Sequence, residues 1–288
     1  MSRFKFGVCE WSFPCWGPLS IKMASEAGFT GMQLGDAGGS LHAYPLTDKR
    51  VQDSYLEAAE KYGVELQSIH LYTLGHQGYV RSSFNSPEGK ICRESIKNGI
   101  IAASQMHIPT VIVDGMRMNT RAKRQHVFDM ERYAAELADV YGVNIAMETD
   151  MTLEEHLQFL DALHGKVTLC FDTHNPVMYG TGKPADLIRA LGRERMDHFH
   201  MKESRPNEDG YITVETPIVL LGQGITQFQD SVQAIKDIGY EGWIISENFY
   251  YRPNLMIKGE DPVSLAKKDV KTLRAAFQAK RIPPPSKY

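Results

Sequence analysis

Eight short apolar runs recur along the chain, each separated from the next by a longer stretch with helical hydrophobic spacing. The runs cover residues 4–9, 31–34, 65–71, 110–114, 144–148, 167–172, 198–202 and 243–247. Strands that alternate with helices form parallel sheets with the helices packed outside, because each crossover must return the chain to the same edge. The alternation therefore predicts an α/β fold built from eight βα units.

Two of the helical stretches have both an apolar face and a start signal. Their apolar residues fall at i, i+4 and i+7: Leu153, Leu157 and Leu160 in one, and Phe228, Val232 and Ile235 in the other. Thr152 with Glu155 and Thr226 with Gln229 have the spacing of a capping box, in which side chains satisfy free amides of the first turn. We expect helices to begin directly after both threonines.

The ends of the helical stretches repeat as regularly as their starts. A glycine that can form a left-handed C-cap stands before five of the runs: Gly28, Gly63, Gly142, Gly165 and Gly239. A doubly wound open sheet is the structural alternative, but residues 10–12 carry no glycine-rich phosphate loop after the first run. We predict one (β/α)8 TIM barrel domain over residues 1–288, with 282–288 as an extended, proline-rich C-terminal tail.

Composition narrows the class of partner. The 288 residues are 42% hydrophobic with a formal net charge of -3, so no global positive field attracts nucleic acid or an anionic membrane. A small-molecule partner is favoured. The first ten residues lack a signal-peptide pattern, which predicts a cytoplasmic protein. The four cysteines, Cys9, Cys15, Cys92 and Cys170, have no metal or redox spacing and are expected to be buried thiols.

Polar residues stand at or near the end of nearly every run, where barrel enzymes place their active sites. They are Glu10, Asp36, His70, Asp114, Glu148, Asp172, His200 and Glu247. The last four come from consecutive units, and three carboxylates with one imidazole form an oxygen-rich set suited to one divalent metal. Mn²⁺ is preferred, with Mg²⁺, Co²⁺ and Zn²⁺ left open. His198 alternates with His200 and points to the same face, so either histidine can supply the imidazole.

Five segments of the chain form a set of motifs, and four of them contain one of these strand ends: ME at 147–148, FDTHN at 171–175, HFHMKE at 198–203, LGQGI at 221–225 and SEN at 246–248. These segments resemble the motifs of the sugar phosphate isomerase/epimerase family. This family of xylose isomerase-like barrels includes ketose 3-epimerases, inosose dehydratases and endonuclease IV. The resemblance covers the whole chain and is specific for fold and metal site, but poor for substrate.

The resemblance implies a role for individual residues. Glu148, Asp172, His200 and Glu247 would bind the metal, which selects His200 over His198. In ketose-epimerising members the first and last of these glutamates are also the proton-transfer pair, one on each face of the sugar. His174 and Arg205 would contact substrate. One departure affects His174: the family often has two residues between the aspartate and this histidine, whereas here only Thr173 intervenes.

Three further residues are candidates for substrate binding. His70 would bind substrate or form a buried hydrogen bond. Lys202 lies two residues beyond His200 and would stabilise an oxyanion or pair with a nearby acid. Trp11, close to Phe13 and Trp16 in the sequence, would cover the C–H face of a sugar or pack over the barrel mouth.

These observations favour a metal-dependent isomerase or epimerase that converts a ketose, keto-sugar or related polyol through a metal-bound enediolate. A lyase that eliminates a β substituent begins with the same proton abstraction and is the closest alternative. An apurinic endonuclease and a non-catalytic sugar-binding protein are weaker ones. The sequence has no Arg/Lys cluster resembling a phosphate clamp, which favours an unphosphorylated sugar. Residues 204–219 are expected to form a loop that closes over ligand, and a homodimer or homotetramer stays open.

Overall fold

Eight parallel strands close into a barrel in chain order, as the alternating pattern predicts. A computed structural model describes residues 3–36, 44–207, 210, 216–252, 255 and 260–278. The strands are β1 Phe4–Cys9, β2 Gly31–Gly35, β3 Glu65–His70, β4 Thr110–Gly115, β5 Asn144–Thr149, β6 Val167–Asp172, β7 Met196–Met201 and β8 Gly242–Ser246. The barrel closes where β1 pairs with β8.

Helices lie between the strands and cover the outside of the barrel. Those in the described ranges are α1 Pro18–Ala27, α2 Lys49–Tyr62, α3 Pro87–Gln105, α4 Arg121–Tyr141, α5 Leu153–Ala162, α6 Asn175–Tyr179, α7 Pro184–Leu191, α8 Phe228–Asp237 and α9 Pro262–Gln278. The predicted apolar faces of α5 and α8 pack against the core. Of the helices that the structure describes, none combines the length and apolar character needed to cross a membrane.

The two predicted capping boxes differ in outcome. Thr152 accepts a hydrogen bond from the amide of Glu155, and the Glu155 carboxylate accepts one from the amide of Thr152 in return, so the first box is confirmed. The second prediction is wrong, because α8 begins at Phe228 and its N-cap is Gln227 with a left-handed φ of 56°. The hydroxyl of Thr226 instead donates to the carboxylate of Glu203. The side chain of Thr226 therefore binds a carboxylate from another part of the chain and not the amides of the first helical turn.

Parallel register places the ends of neighbouring strands at one mouth of the barrel. Asp114 is level with Glu148 across β4 and β5, and Asp172 is level with His200 across β6 and β7. Glu247 follows β8 directly, and its amide donates to the carbonyl of Met201 at 3.1 Å. The four consecutive chemical groups predicted from the sequence therefore lie around the same point.

Two of the other strand-end acids stabilise the fold. Glu10 is fully buried and accepts hydrogen bonds from the amides of Gly17 and Gly35 and from the hydroxyl of Tyr55, at 2.7, 3.0 and 2.7 Å. Asp36 accepts a hydrogen bond from the hydroxyl of Thr73 at 2.9 Å. A carboxylate at a strand end can thus serve either packing or chemistry, and only its neighbours distinguish the two.

Some sequence predictions concern residues beyond the described ranges or are only partly covered. The predicted tail at 282–288 lies outside the described residues, and so does much of the predicted closing loop at 204–219. At the ends of that loop, Ser204 forms an antiparallel bridge with Ile218. The cysteines are free thiols as expected, and three of them are buried, whereas Cys15 is partly exposed.

Candidate metal centre

The three acids and the imidazole from β5 to β8 lie together at the carboxyl mouth of the barrel. One ligand atom from each of Glu148, Asp172, His200 and Glu247 lies within 4.8 Å of the other three, and all four residues are buried. Buried carboxylates at this spacing repel one another unless protons or cations compensate their charge. The cluster therefore requires positive charge at its centre.

His200 presents one ring nitrogen to this centre. Its Nε2 lies 2.7 Å from the side-chain oxygen of Gln33, which fixes Nε2 as the protonated donor because an amide oxygen only accepts. Nδ1 then faces the acids, 3.2 Å from Glu247 Oε2 and 3.6 Å from Glu148 Oε2, and makes no hydrogen bond of standard geometry with a described residue. A polar neighbour that fixes the tautomer is typical of metal-binding histidines.

His198 lies one strand repeat deeper than His200. Its Nδ1 pairs with Asp197 at 2.7 Å, and its ring is not part of the four-residue cluster with the carboxylates. It forms a second buried group with Cys170 and His200 instead. Of the two histidines left open by strand alternation, His200 is therefore the one that faces the acids.

The two glutamates are held in different electrostatic environments. Burial and the charge of Glu247 raise the pKa of Glu148 to about 8. Burial also disfavours the ionised form of Glu247, but Lys202 and His200 outweigh it and hold the pKa of Glu247 well below its usual value. Opposite pKa shifts in neighbouring carboxyl groups are typical of an acid and base pair.

An N–H donor holds one oxygen of each glutamate and leaves the other available to the centre. Asn175 donates to Glu148 Oε1 at 2.9 Å, and the indole of Trp11 donates to Glu247 Oε1 at 3.1 Å. Trp11 is buried and packs against the ring of His70, and a contact of its ring with the C–H face of a sugar stays a prediction. Asn175 lies in the FDTHN segment at 171–175, but the sequence analysis gave it no role.

Lys202 supplies positive charge beside the acids. Its ammonium lies 2.7 Å from Glu247 Oε2 and 3.4 Å from Asp172 Oδ2. Burial disfavours the ammonium, yet the surrounding carboxylates outweigh that effect and raise the pKa of Lys202. Of the two roles considered for Lys202, the ion pair is present, and a role toward substrate stays a prediction.

The donor set fits one divalent cation. Three carboxylates outnumber the single ammonium, and the free Nδ1 of His200 and oxygens of the glutamates converge on the same point. Oxygen donors with one imidazole suit Mn²⁺, Mg²⁺ or Co²⁺, and Zn²⁺ also accepts them.

Two of the residues predicted to contact substrate, His174 and His70, are buried beside residues of the cluster. His174 is buried, its Nε2 lies 2.6 Å from the hydroxyl of Ser204, and its amide donates to Asp172 at 2.7 Å. His70 is buried against the ring of Trp11, and neither ring nitrogen has a hydrogen-bond partner among the described residues. Burial lowers the pKa of His70 to about 3, so its imidazole is neutral. The contact of either ring with substrate stays a prediction.

The side chain of Arg205, which the resemblance assigns to substrate contact, binds a backbone carbonyl. Its side chain is exposed, and Nε donates to the backbone carbonyl of Gln223 at 3.1 Å. No contact joins it to the three acids or to the imidazole of the cluster in the part of the chain that the structure describes. Its assignment to substrate therefore stays a prediction.

Metal affinity is expected to fall as the pH decreases. A metal must displace the proton of Glu148, whose pKa is about 8, and must compete for His200, whose pKa is raised by Glu247 and Glu148 against the opposing effect of burial. We expect the Mn²⁺ dissociation constant to rise about tenfold per pH unit between pH 7.5 and 6. Titration calorimetry at several pH values measures this, and a constant affinity over that range would contradict the assignment.

Comparison with known proteins identifies the family. A family model described as xylose isomerase-like TIM barrel matches residues 21–276. The chain belongs to this family. The resemblance inferred from the strand-end motifs is thereby confirmed, and the closed eight-stranded barrel is the architecture expected of a member.

Relatives within the family are enzymes. A 2-epi-5-epi-valiolone 7-phosphate 2-epimerase from Actinoplanes sp. is 25% identical over 225 residues, covering 76% of this chain and 78% of the relative. An inosose dehydratase from Klebsiella pneumoniae is 26% identical over 128 residues, covering 38% of this chain and 42% of the relative. Family membership therefore includes at least two reaction types and does not select one.

Solved structures share the barrel at low identity. The IOLI protein with a bound zinc atom superposes with a TM-score of 0.74 at 16% identity, covering 95% of this chain and 98% of the other. A D-allulose 3-epimerase from Methylomonas sp. in complex with D-allulose gives a TM-score of 0.72 at 19% identity, covering 96% and 98%. At such identities the likeness shows the family fold alone.

Proposed function

We propose that the protein is a metal-dependent sugar isomerase or epimerase that acts on a ketose, keto-sugar or related polyol. The observation that carries the proposal is the pair of buried glutamates at one candidate metal centre, with their pKa values shifted in opposite directions. The sugar-epimerising relative and the fold shared with D-allulose 3-epimerase support the same substrate class. Mn²⁺ is the proposed metal and the cytoplasm the proposed location.

Each residue of the centre has a defined part in this proposal. Glu148, Asp172, His200 and Glu247 would hold the cation, which polarises a substrate carbonyl and its neighbouring hydroxyl and so acidifies the C–H bond between them. Glu247 is the ionised carboxylate, and it takes the proton from carbon. Glu148, which loses its proton when the cation binds, would take up a proton from solvent and deliver it to carbon on the opposite face, while Glu247 would return the abstracted proton to solvent.

Neighbouring side chains position the two glutamates and the sugar. Trp11 holds Glu247 and Asn175 holds Glu148, each through the oxygen that faces away from the cluster centre. Lys202 keeps Glu247 ionised and can donate to negative charge that develops on a substrate oxygen. His70 and His174 contact sugar hydroxyls, with His70 acting as a neutral imidazole.

Exchange of a substrate proton with solvent tests the reaction. With Mn²⁺ in D2O, we expect deuterium to enter carbon-bound positions next to the carbonyl of a ketose such as D-fructose or D-allulose, together with its epimer. Proton NMR and mass spectrometry measure this, with EDTA-treated protein as the control. A Mn²⁺-loaded protein that exchanges no carbon-bound proton in a broad set of ketoses and keto-sugars would contradict the proposal.

A lyase is the second candidate, and its specific support is the dehydratase relative. Elimination starts with the same abstraction by Glu247, but a β substituent then leaves and the product gains a double bond. An unsaturated product in the same NMR experiment, without epimer, would select elimination over epimerisation.

A further inference from the structure

A cavity lies at the barrel mouth beside the candidate metal centre. It has a volume of about 570 Å³, and the residues that matter here are Tyr72, Arg81, Met116, Arg117, Lys123 and Tyr179. Volumes of this size are typical of small-molecule sites. The cavity is therefore large enough for a substituent of the substrate.

Two chains of contact join this cavity to the glutamates. Met116 Sδ lies 3.8 Å from Asn175 Nδ2, and the same amide group donates to Glu148. The ring of Tyr72 lies 5.9 Å from the ring of Trp11, which donates to Glu247. One side chain, Asn175 or Trp11, therefore separates the cavity lining from each glutamate of the metal centre.

The cavity wall carries an excess of positive charge. Arg81, Arg117 and Lys123 contribute three cations, and none of them forms an ion pair with a carboxylate of the described residues. Lys123 Nζ is held by the neutral side chain of Asn119 at 2.8 Å. Asp114 also lines the cavity, but its Oδ1 accepts from the amide of Met116 at 2.9 Å, and burial raises its pKa to about 6. Even when Asp150 beside the amide of Arg117 is counted, two carboxylates face three cations.

The backbone at Arg117 is held in a conformation that non-glycine residues rarely adopt. Its φ is 63°, and its amide donates to both carboxylate oxygens of Asp150, at 3.1 and 3.0 Å. Strain of this kind is retained where the surroundings fix it, and it often marks a ligand site. Its side chain interacts with the hydroxyl of Tyr179, which also lines the cavity. Asp150 thus fixes the backbone at Arg117 through its amide, while the guanidinium contacts Tyr179 and forms no ion pair with a carboxylate of the described residues.

We propose that this cavity binds a phosphate monoester group of the sugar substrate. The proposal rests on the proposed function and narrows its substrate class to sugar phosphates. A carboxylate is satisfied by one guanidinium in a bidentate pair, whereas a dianionic phosphate with three terminal oxygens matches three cations. The three cations come from a loop after β3, a turn after β4 and the first turn of α4. Their separation along the chain explains why the sequence showed no phosphate clamp and favoured an unphosphorylated sugar.

Binding of phosphate compounds to metal-free protein tests this site apart from the metal. EDTA-treated protein is titrated by calorimetry with inorganic phosphate, D-fructose 6-phosphate and D-fructose. We expect wild type to bind both phosphate compounds at least tenfold more tightly than D-fructose. Arg117→Met and Arg81→Met should each weaken phosphate binding about tenfold or more, because each removes a charged hydrogen bond. Arg117→Lys should retain part of the affinity.

Arg121→Met is the matched control. Arg121 is an exposed arginine at the start of the same helix as Lys123, but it lines a different groove. Its phosphate affinity should equal that of wild type. Equal affinity of wild type and Arg117→Met, or no preference of wild type for D-fructose 6-phosphate over D-fructose, would overturn the proposal.

The two proposals fail in distinguishable ways. Phosphate binding to metal-free protein with no proton exchange in any sugar phosphate would support the cavity and reject the isomerase. Proton exchange in free ketoses without any preference for phosphate compounds would support the isomerase and reject the phosphate site.

Discussion

Glu148→Gln and Glu247→Gln are each expected to lower kcat on the substrate by about 10²–10⁴-fold, the range typical of a lost general acid or base. Glutamine keeps the size of the side chain and one oxygen, but it neither accepts the proton from carbon nor carries the charge that the cation requires. Both residues lie in the cluster whose ligand atoms are within 4.8 Å of one another. Steady-state kinetics on a substrate found by the deuterium assay measures the effect.

Binding should separate the two roles of Glu247. Its Oε1 accepts from Trp11, and the oxygen of glutamine can still accept that hydrogen bond. We therefore expect Glu247→Gln to retain part of the substrate affinity in calorimetry. Glu65→Gln is the control, since Glu65 begins β3 at the opposite end of the barrel and forms an exposed ion pair with Lys5. Wild-type kcat in either active-site variant would contradict the assignment of proton transfer.

The sequence was sufficient to predict the barrel because every level of the pattern agreed. Eight apolar runs, helical spacing between them and a recurring glycine before the strands all pointed to one topology, and the observed strands match the runs closely. The four clustered residues were predictable for the same reason. Parallel strands end at the same mouth, so chemistry at consecutive strand ends must converge.

Contacts between residues far apart in the sequence could not be predicted in this way. Thr226 has the spacing of a capping box, but the buried carboxylate of Glu203 takes its hydroxyl, a preference that only the folded chain creates. Gln33 on β2 fixes the ring of His200 on β7, and no local motif links two such distant strands. Local sequence patterns predict that a side chain stands at the end of a given strand. Its hydrogen-bonding partner depends on how the barrel brings distant parts of the chain together.

Lys202→Met is expected to destabilise the metal-free protein strongly. The ammonium lies among buried acids, 2.7 Å from Glu247 and 3.4 Å from Asp172, and methionine leaves those charges unpaired. Breaking a buried ion pair by removing one partner costs about 3–5 kcal/mol. Urea unfolding in EDTA at pH 7.5 should show a decrease of that order in the free energy of unfolding. Lys166→Met, which removes an exposed ion pair with Asp139, should change it little.

The pH and metal dependence of the stability lost in Lys202→Met shows whether Lys202 stabilises the protein through its charge or through packing. Because Lys202 holds the pKa of Glu247 below its usual value of 4.5, the stabilisation is present above that pH and is lost as pH falls through the lowered pKa. The deficit of Lys202→Met should therefore shrink in acid, and Mn²⁺ should restore more stability to the variant than it adds to wild type, since the cation replaces the missing ammonium. A deficit that neither acid nor Mn²⁺ reduces would place the role of Lys202 in packing, and the cluster would then lack the uncompensated charge on which metal binding depends.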